Sequence, residues 1–147
     1  MGVYLKFRIK HRDREIRTIA IINSAYTKKG VRILLPIKVL EELGLSLSDF
    51  EPSDEPSEVA GGGVVYTLLC RKTVNVCIDY KDLEDYCAEA QPETIVGQVY
   101  VLISDELRRA LGIGLHPTEE GKWFHVNDSI ELKEKGRDGE KEPTIWE

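Results

Sequence analysis

"AIINSAYTKKGVRILLPIKVLEELGL", residues Ala20–Leu45, is the stretch on which the fold turns. An apolar run, Ala20-Ile21-Ile22, stops at Asn23-Ser24-Ala25. A polar loop follows to Gly30, and a second apolar run restarts at Val31. Pro36 then opens a segment with Ile37, Leu40 and Leu43 at helical spacing, and Gly44 stands where the helix should end. Proline in the first turn and glycine just past the last is the asymmetry expected of a short helix. The segment therefore reads as strand, loop, strand, helix.

Upstream, Val3, Leu5, Phe7 and Ile9 alternate with Tyr4, Lys6, Arg8 and Lys10, the period of a half-buried strand. "HRDRE" is a polar turn, and "IRTIAIIN" returns as a second strand that becomes apolar on both faces. These predict a hairpin whose second strand enters the core. Downstream, "SLSDFEPSDEPSEVAGGG" reads as an exposed loop. "VVYTLLC" and "TVNVCIDY" read as a hairpin around "RKT", and "KDLEDYCAEAQPE" as a polar connection. "VGQVYVLI" is a strand, and "SDELRRALG" a helix with Ser104 as N-cap, acids in its first turn and arginines near its end. "KWFHV" is a late strand. From Asn127 the chain is rich in charge and glycine and is expected to pack poorly, Ile145 and Trp146 excepted.

Two of these units superpose without a gap. "VRILLPIKVLEELGLSL" begins at Val31 and "VYVLISDELRRALGIGL" at Val99, 68 residues on. Val31, Leu34, Leu43, Gly44 and Leu47 meet Val99, Leu102, Leu111, Gly112 and Leu115. Any strand followed by an amphipathic helix shares part of this pattern. The agreement of glycine and apolar positions throughout predicts two similar halves.

The chain has 147 residues, enough for one domain with a core. Its net charge of −6 disfavours nucleic acid as a partner, since phosphate binding usually needs a basic face. No apolar run approaches the roughly 20 residues that span a bilayer, and the start lacks a signal-peptide layout; a cytoplasmic location is expected. Cys70, Cys77 and Cys87 lack CxxC spacing and are expected to be free thiols. His11, His116 and His125 are scattered, so no metal and no cofactor is expected. Gly61-Gly62-Gly63 lacks the lysine and helix of a phosphate loop, and Asp105 suits a helix start.

The order of these parts resembles a retropepsin-like aspartic protease domain of the cellular and prokaryotic kind. In that family a hairpin leads into a hydrophobic-hydrophobic-Asp-Thr/Ser-Gly-Ala loop, then a strand and an "LP-x-x-hydrophobic-x-x-x-LGL" helix. Here "AIINSAY" and "ILLPIKVLEELGL" stand at those places. A flap hairpin follows in the family, for which "GGGVVYTLLCRKTVNVCIDY" is the candidate, with Gly62, Gly63, Val64 and Val65 as candidate flap residues. A second strand and helix follow, here "VLISDELRRALGI", with Ser104 in place of the family's glycine. The resemblance implies a mostly β, closed acid-protease-like barrel with two short helices and two similar halves. It covers a single domain at 3–126, with a charged C-terminal tail at 127–147.

The catalytic loop departs from the pattern. Two carboxylates sharing one proton are what an aspartic protease uses, because like charges that close cannot both ionise. Asn23 has no titratable proton and cannot replace the base. Ser24 keeps a hydroxyl, and Ala25 stands where the family has glycine. The resemblance thus implies a homodimer, with Asn23 near its axis, that binds peptide or protein without cleaving it. Two alternatives stand beside it. One is an acid peptidase with an atypical site. The other is a swapped-hairpin transcription regulator or antitoxin-type DNA-binding protein, which "KKGVRILLPIKVLEELGLSLSD" also resembles although its turn lacks the expected glycine. Taken alone, "INSAY" is also what a polar turn between strands looks like.

Overall fold

The computed structural model describes residues 2–22, 26, 29–58 and 64–147. Eleven strands occur among them: β1 (Val3–His11), β2 (Arg14–Ile22), β3 (Arg32–Leu34), β4 (Phe50–Glu58), β5 (Val64–Cys70), β6 (Val74–Ile78), β7 (Cys87–Thr94), β8 (Leu102–Ile103), β9 (Ile113–Leu115), β10 (Lys122–His125) and β11 (Arg137–Asp138). Three short helices join them: α1 (Ile37–Glu42), α2 (Asp105–Ala110) and α3 (Ile130–Lys135).

Six strands close into a barrel. β1 and β2 form the expected hairpin, in register from Val3 opposite Ile22 to His11 opposite Arg14. β2 lies parallel to β8, β8 antiparallel to β3, and β3 parallel to β7. β7 runs antiparallel to β6, and β6 antiparallel to β1, which closes the ring. Along β1 every second side chain is buried, as the period-two alternation requires. Phe7, Ile22, Ile33, Ile78 and Ile103 fill the interior and are fully or almost fully buried.

β5 also pairs with β7, and β4 runs along its far side as an edge strand. This corrects two expectations. Phe50–Glu58 is a strand and not a loop; its prolines are tolerated because an edge strand need not donate on its outer side, and the register shifts between Pro52 and Pro56. β5 does not pair with β6. The strand between them in space is β7, from the segment read as a polar connection. The hairpin that projects from the barrel is therefore β4–β5.

The two strand–helix units have closely matched local geometry. α1 spans 37–42 and α2 spans 105–110, both six residues long. Gly44 and Gly112 follow with φ of +71° and +77°, the left-handed turn that ends each helix. The amide of Gly44 bonds the Glu41 carbonyl and that of Leu45 the Leu40 carbonyl, the paired bonds of a Schellman end.

The C-terminal segment is not loosely packed, and it contains a third helix where two were expected. Ser129 caps α3 by accepting from the Leu132 amide, and β9, β10 and β11 form a small sheet. Beyond it, the amides of Glu140, Thr144 and Trp146 donate to the carbonyls of Tyr4, Ile19 and Val99. Trp146 Nε1 also donates to Thr18 Oγ1 at 2.9 Å. Charge and glycine content predict poor packing; regular backbone pairing with the barrel outweighs it. Trp146 docks as expected, while Ile145 stays 54% exposed.

Two thiols are likewise corrected. Cys77 and Cys87 sit directly opposite in the β6–β7 pair and form a disulfide, leaving Cys70 as the free, buried cysteine. The ten-residue spacing concealed a contact that only the strand register creates.

Candidate functional site

The segment between β2 and β3 contains Asn23, Ser24 and Ala25, the positions singled out by the resemblance. Asn23, Ser24 and Ala25 lie outside the described residues, as do Gly62 and Gly63. Val64 and Val65 open β5, opposite Glu58 and Ser57. What the structure describes is the frame around these two segments.

At the β3–β7–β5 junction stands a fully buried carboxylate, Glu93. β7 carries it, opposite Leu34 on one side and Leu69 on the other. Tyr26, in the loop itself, donates its hydroxyl to Glu93 Oε1 at 2.9 Å. Arg32, the first residue of β3, donates from Nη1 to the same oxygen at 2.9 Å. Thr67, on the projecting hairpin, donates its hydroxyl to Oε2. One carboxylate thus ties together the loop, the strand that leaves it and the root of the hairpin. A buried charge is tolerated only when paired and hydrogen-bonded, and these three donors meet that demand.

This arrangement suits anchoring better than proton transfer. Tyr26, Arg32 and Thr67 occupy three of the acceptor positions on this carboxylate and fix its orientation. Burial, with the Glu93 charge adding to it, pushes the Tyr26 phenol far above its ordinary pKa, so it remains a donor. Arg32 Nε is buried without a hydrogen-bond partner among the described residues.

Ser104 secures the other end of the loop. Its Oγ caps α2 by accepting from the Leu107 amide at 3.2 Å, accepts from the Arg32 amide at 3.1 Å, and donates to the Gly30 carbonyl at 3.2 Å. Its own amide donates to the Arg32 carbonyl. Ser104 is therefore the knot between α2 and the loop. Asp105 opens α2, in the role its position suggested.

Two histidines, scattered in sequence, do the same job at the helix ends. A ring nitrogen of His11 donates to the Leu43 carbonyl at 3.0 Å, and His125 Nε2 donates to the Leu111 carbonyl at 2.9 Å. Both rings are buried, and both satisfy the last carbonyl of a helix. No cluster of three or more His, Cys, Asp or Glu side chains with metal-binding geometry occurs among the described residues. Among them, no helix is long and apolar enough to cross a membrane.

Sequence reasoning missed Glu93, Tyr26, Arg32 and Thr67 as a group. The single clue was a glutamate in a segment that also carries alanines and a proline, which reads as polar rather than as buried strand. No protein-family model matches the chain, and no curated protein matches it either.

Proposed function

We propose that this protein is a non-catalytic counterpart of the retropepsin-like aspartic proteases, a homodimer that holds an extended peptide or protein segment without hydrolysing it. The observation that carries the reading is the order of parts on a closed barrel. The hairpin β1–β2 leads into the Asn23-Ser24-Ala25 loop, then come β3 and α1, the projecting hairpin β4–β5, and a second unit β8–α2. The matched lengths and glycine ends of the two helices support a two-half origin. One chain has one loop of the Asn23 type, so a complete cleft needs a second copy. An extended ligand could pair its backbone along such a cleft.

Asparagine at both central positions removes the base that activates water, and a positioned proton-transfer group typically contributes about 10²–10⁴-fold to rate. The test is restoration. Asn23→Asp with Ala25→Gly should give acid-range, pepstatin-sensitive cleavage of a peptide library, and the natural sequence should give none. Acid cleavage by the natural sequence, free of contaminating protease, would show the atypical peptidase instead. The DNA-binding reading is disfavoured by one contact pattern. β3, which a swapped hairpin would offer to a second copy, is paired on both edges within the chain, with β7 and β8.

A further inference from the structure

The segment 79–86 between β6 and β7 is a strap joining two parts of the molecule. Its base is closed by the Ile78 amide donating to the Tyr86 carbonyl and, one residue pair further along, by the Cys77–Cys87 disulfide. Its outer residues hold the C-terminal sheet. Tyr80 stacks on the buried Trp123 with ring centroids 5.5 Å apart and donates its hydroxyl to Glu140 at 2.7 Å. Asp82 accepts from Arg137 at 2.8 Å. Tyr86 packs on the His125 ring, centroids 4.1 Å apart, and its hydroxyl accepts from Asn127. Five side-chain contacts thus converge from one strap on β10, β11 and the residues around them.

The disulfide is open on one side. Cys87 is exposed, whereas Cys77 is 9% exposed and Cys70 is fully buried. Burial raises the Cys70 thiol above its ordinary pKa, which keeps it out of exchange. Accessible disulfides are the ones open to thiolate attack, and burial protects the others. The opposition of Cys77 and Cys87 in the strand pair also means that they remain adjacent after reduction, ready to re-form.

We propose that Cys77–Cys87 is a reversible redox switch whose oxidised form clamps the strap, and through it the C-terminal sheet, against the barrel. A thiolate of a small dithiol attacks Cys87 Sγ, the bond to Cys77 Sγ breaks, and Cys77 leaves as a thiolate that takes up a proton. The second thiolate of the dithiol then attacks the sulfur already bound to Cys87. Cys87 leaves in turn, and the dithiol becomes a cyclic disulfide. The protein gains two electrons and two protons, and the dithiol loses them. β6–β7 pairing keeps the barrel closed, so the freedom released falls on residues 79–86 and the sheet they hold. This inference is independent of the loop at Asn23.

The test uses the full chain, oxidised and after incubation with dithiothreitol without denaturant. Thiol titration should rise by two, with Cys70 silent in both states. Hydrogen exchange should speed by about tenfold or more across 79–86 and 122–140, the order of effect expected for releasing a short closed loop, and stay unchanged in β1 and β2. The double variant Cys77→Ser with Cys87→Ser should reproduce the reduced pattern without reductant. A disulfide that resists dithiothreitol until the protein is unfolded would overturn the proposal. So would reduction that leaves 122–140 unchanged, or that raises exchange equally throughout the barrel.

Discussion

The units β3–α1 and β8–α2 have the same helix length and the same glycine ending, yet they are held by different chemistry. α1 begins at Pro36 with no side-chain cap, no acid in its first turn and no base in its last. α2 begins at Ser104, whose hydroxyl caps it, with Asp105 and Glu106 first and Arg108 and Arg109 last. The first unit is fixed instead by its neighbours. Arg32 pairs with Glu93, Leu35 donates its amide to the Glu93 carbonyl, and Thr94 donates its hydroxyl to the Leu35 carbonyl. One unit takes its order from tertiary contacts and the other largely from local capping. The capped unit in turn secures the loop of the first, through Ser104 and Gly30.

This contrast can be broken most strongly at Glu93. Glu93→Ala leaves Arg32 as an uncompensated, largely buried charge, and the expected loss is about 3–5 kcal/mol in urea denaturation. A loss below about 1 kcal/mol, within the range of an exposed ion pair, would mean that tertiary anchoring of the first unit is overstated. Core truncation should treat the units alike, since both helices bury one face. Leu40→Ala and Leu107→Ala are each expected to cost about 2–5 kcal/mol, and a large disparity would show that one helix is dispensable. Ser104→Ala removes the cap and the tie to the loop, so it should exceed the roughly 1 kcal/mol of an ordinary N-cap. Pro36→Ala at the matching position should change stability little, because Pro36 supplies no side-chain hydrogen bond. Equal effects at Ser104 and Pro36 would erase the distinction.

A control lies outside both units. Arg137 donates to Asp128 and Asp82 and holds both carboxyls below their ordinary range. A lowered folded-state pKa contributes stability above the ordinary carboxylate value, near 4, and that contribution is lost as pH falls through the lowered value. Arg137→Ala should therefore narrow the stability gap to the natural protein only below about pH 4, when melting is followed against pH. A gap that is constant from pH 7 to pH 2 would argue that Arg137 acts by packing on Trp123 instead. The smallest effect is expected at Arg71, whose pairing with Glu51 is on the open surface; Arg71→Ala should leave the melting temperature within error.

Much of the barrel was legible because its strands alternate or run apolar. The β1–β2 hairpin, β3, α1, α2 and β10 stand close to where periodicity and capping put them. β7 was not legible, because its buried face includes Glu93, and a carboxylate signals strand interior only when its partners are known. Those partners lie 67, 61 and 26 residues away in sequence. β4 was hidden by its prolines and acids, which mark an edge strand as readily as a loop. The docked tail depends on backbone bonds to Tyr4, Ile19 and Val99, which composition does not encode. At the candidate site, the Asn23-Ser24-Ala25 reading came from sequence motif order, while the carboxylate that frames it emerged only from the strand register.

In the proposed homodimer, two copies of the chain complete one cleft at their Asn23 loops. A crystal structure of the protein at high concentration measures this directly, through the distance between the two Asn23 side chains across a twofold axis. A symmetric dimer with these side chains adjacent to the axis is the expected result. A strict monomer in solution, or a dimer with Asn23 remote from every interface, would contradict it.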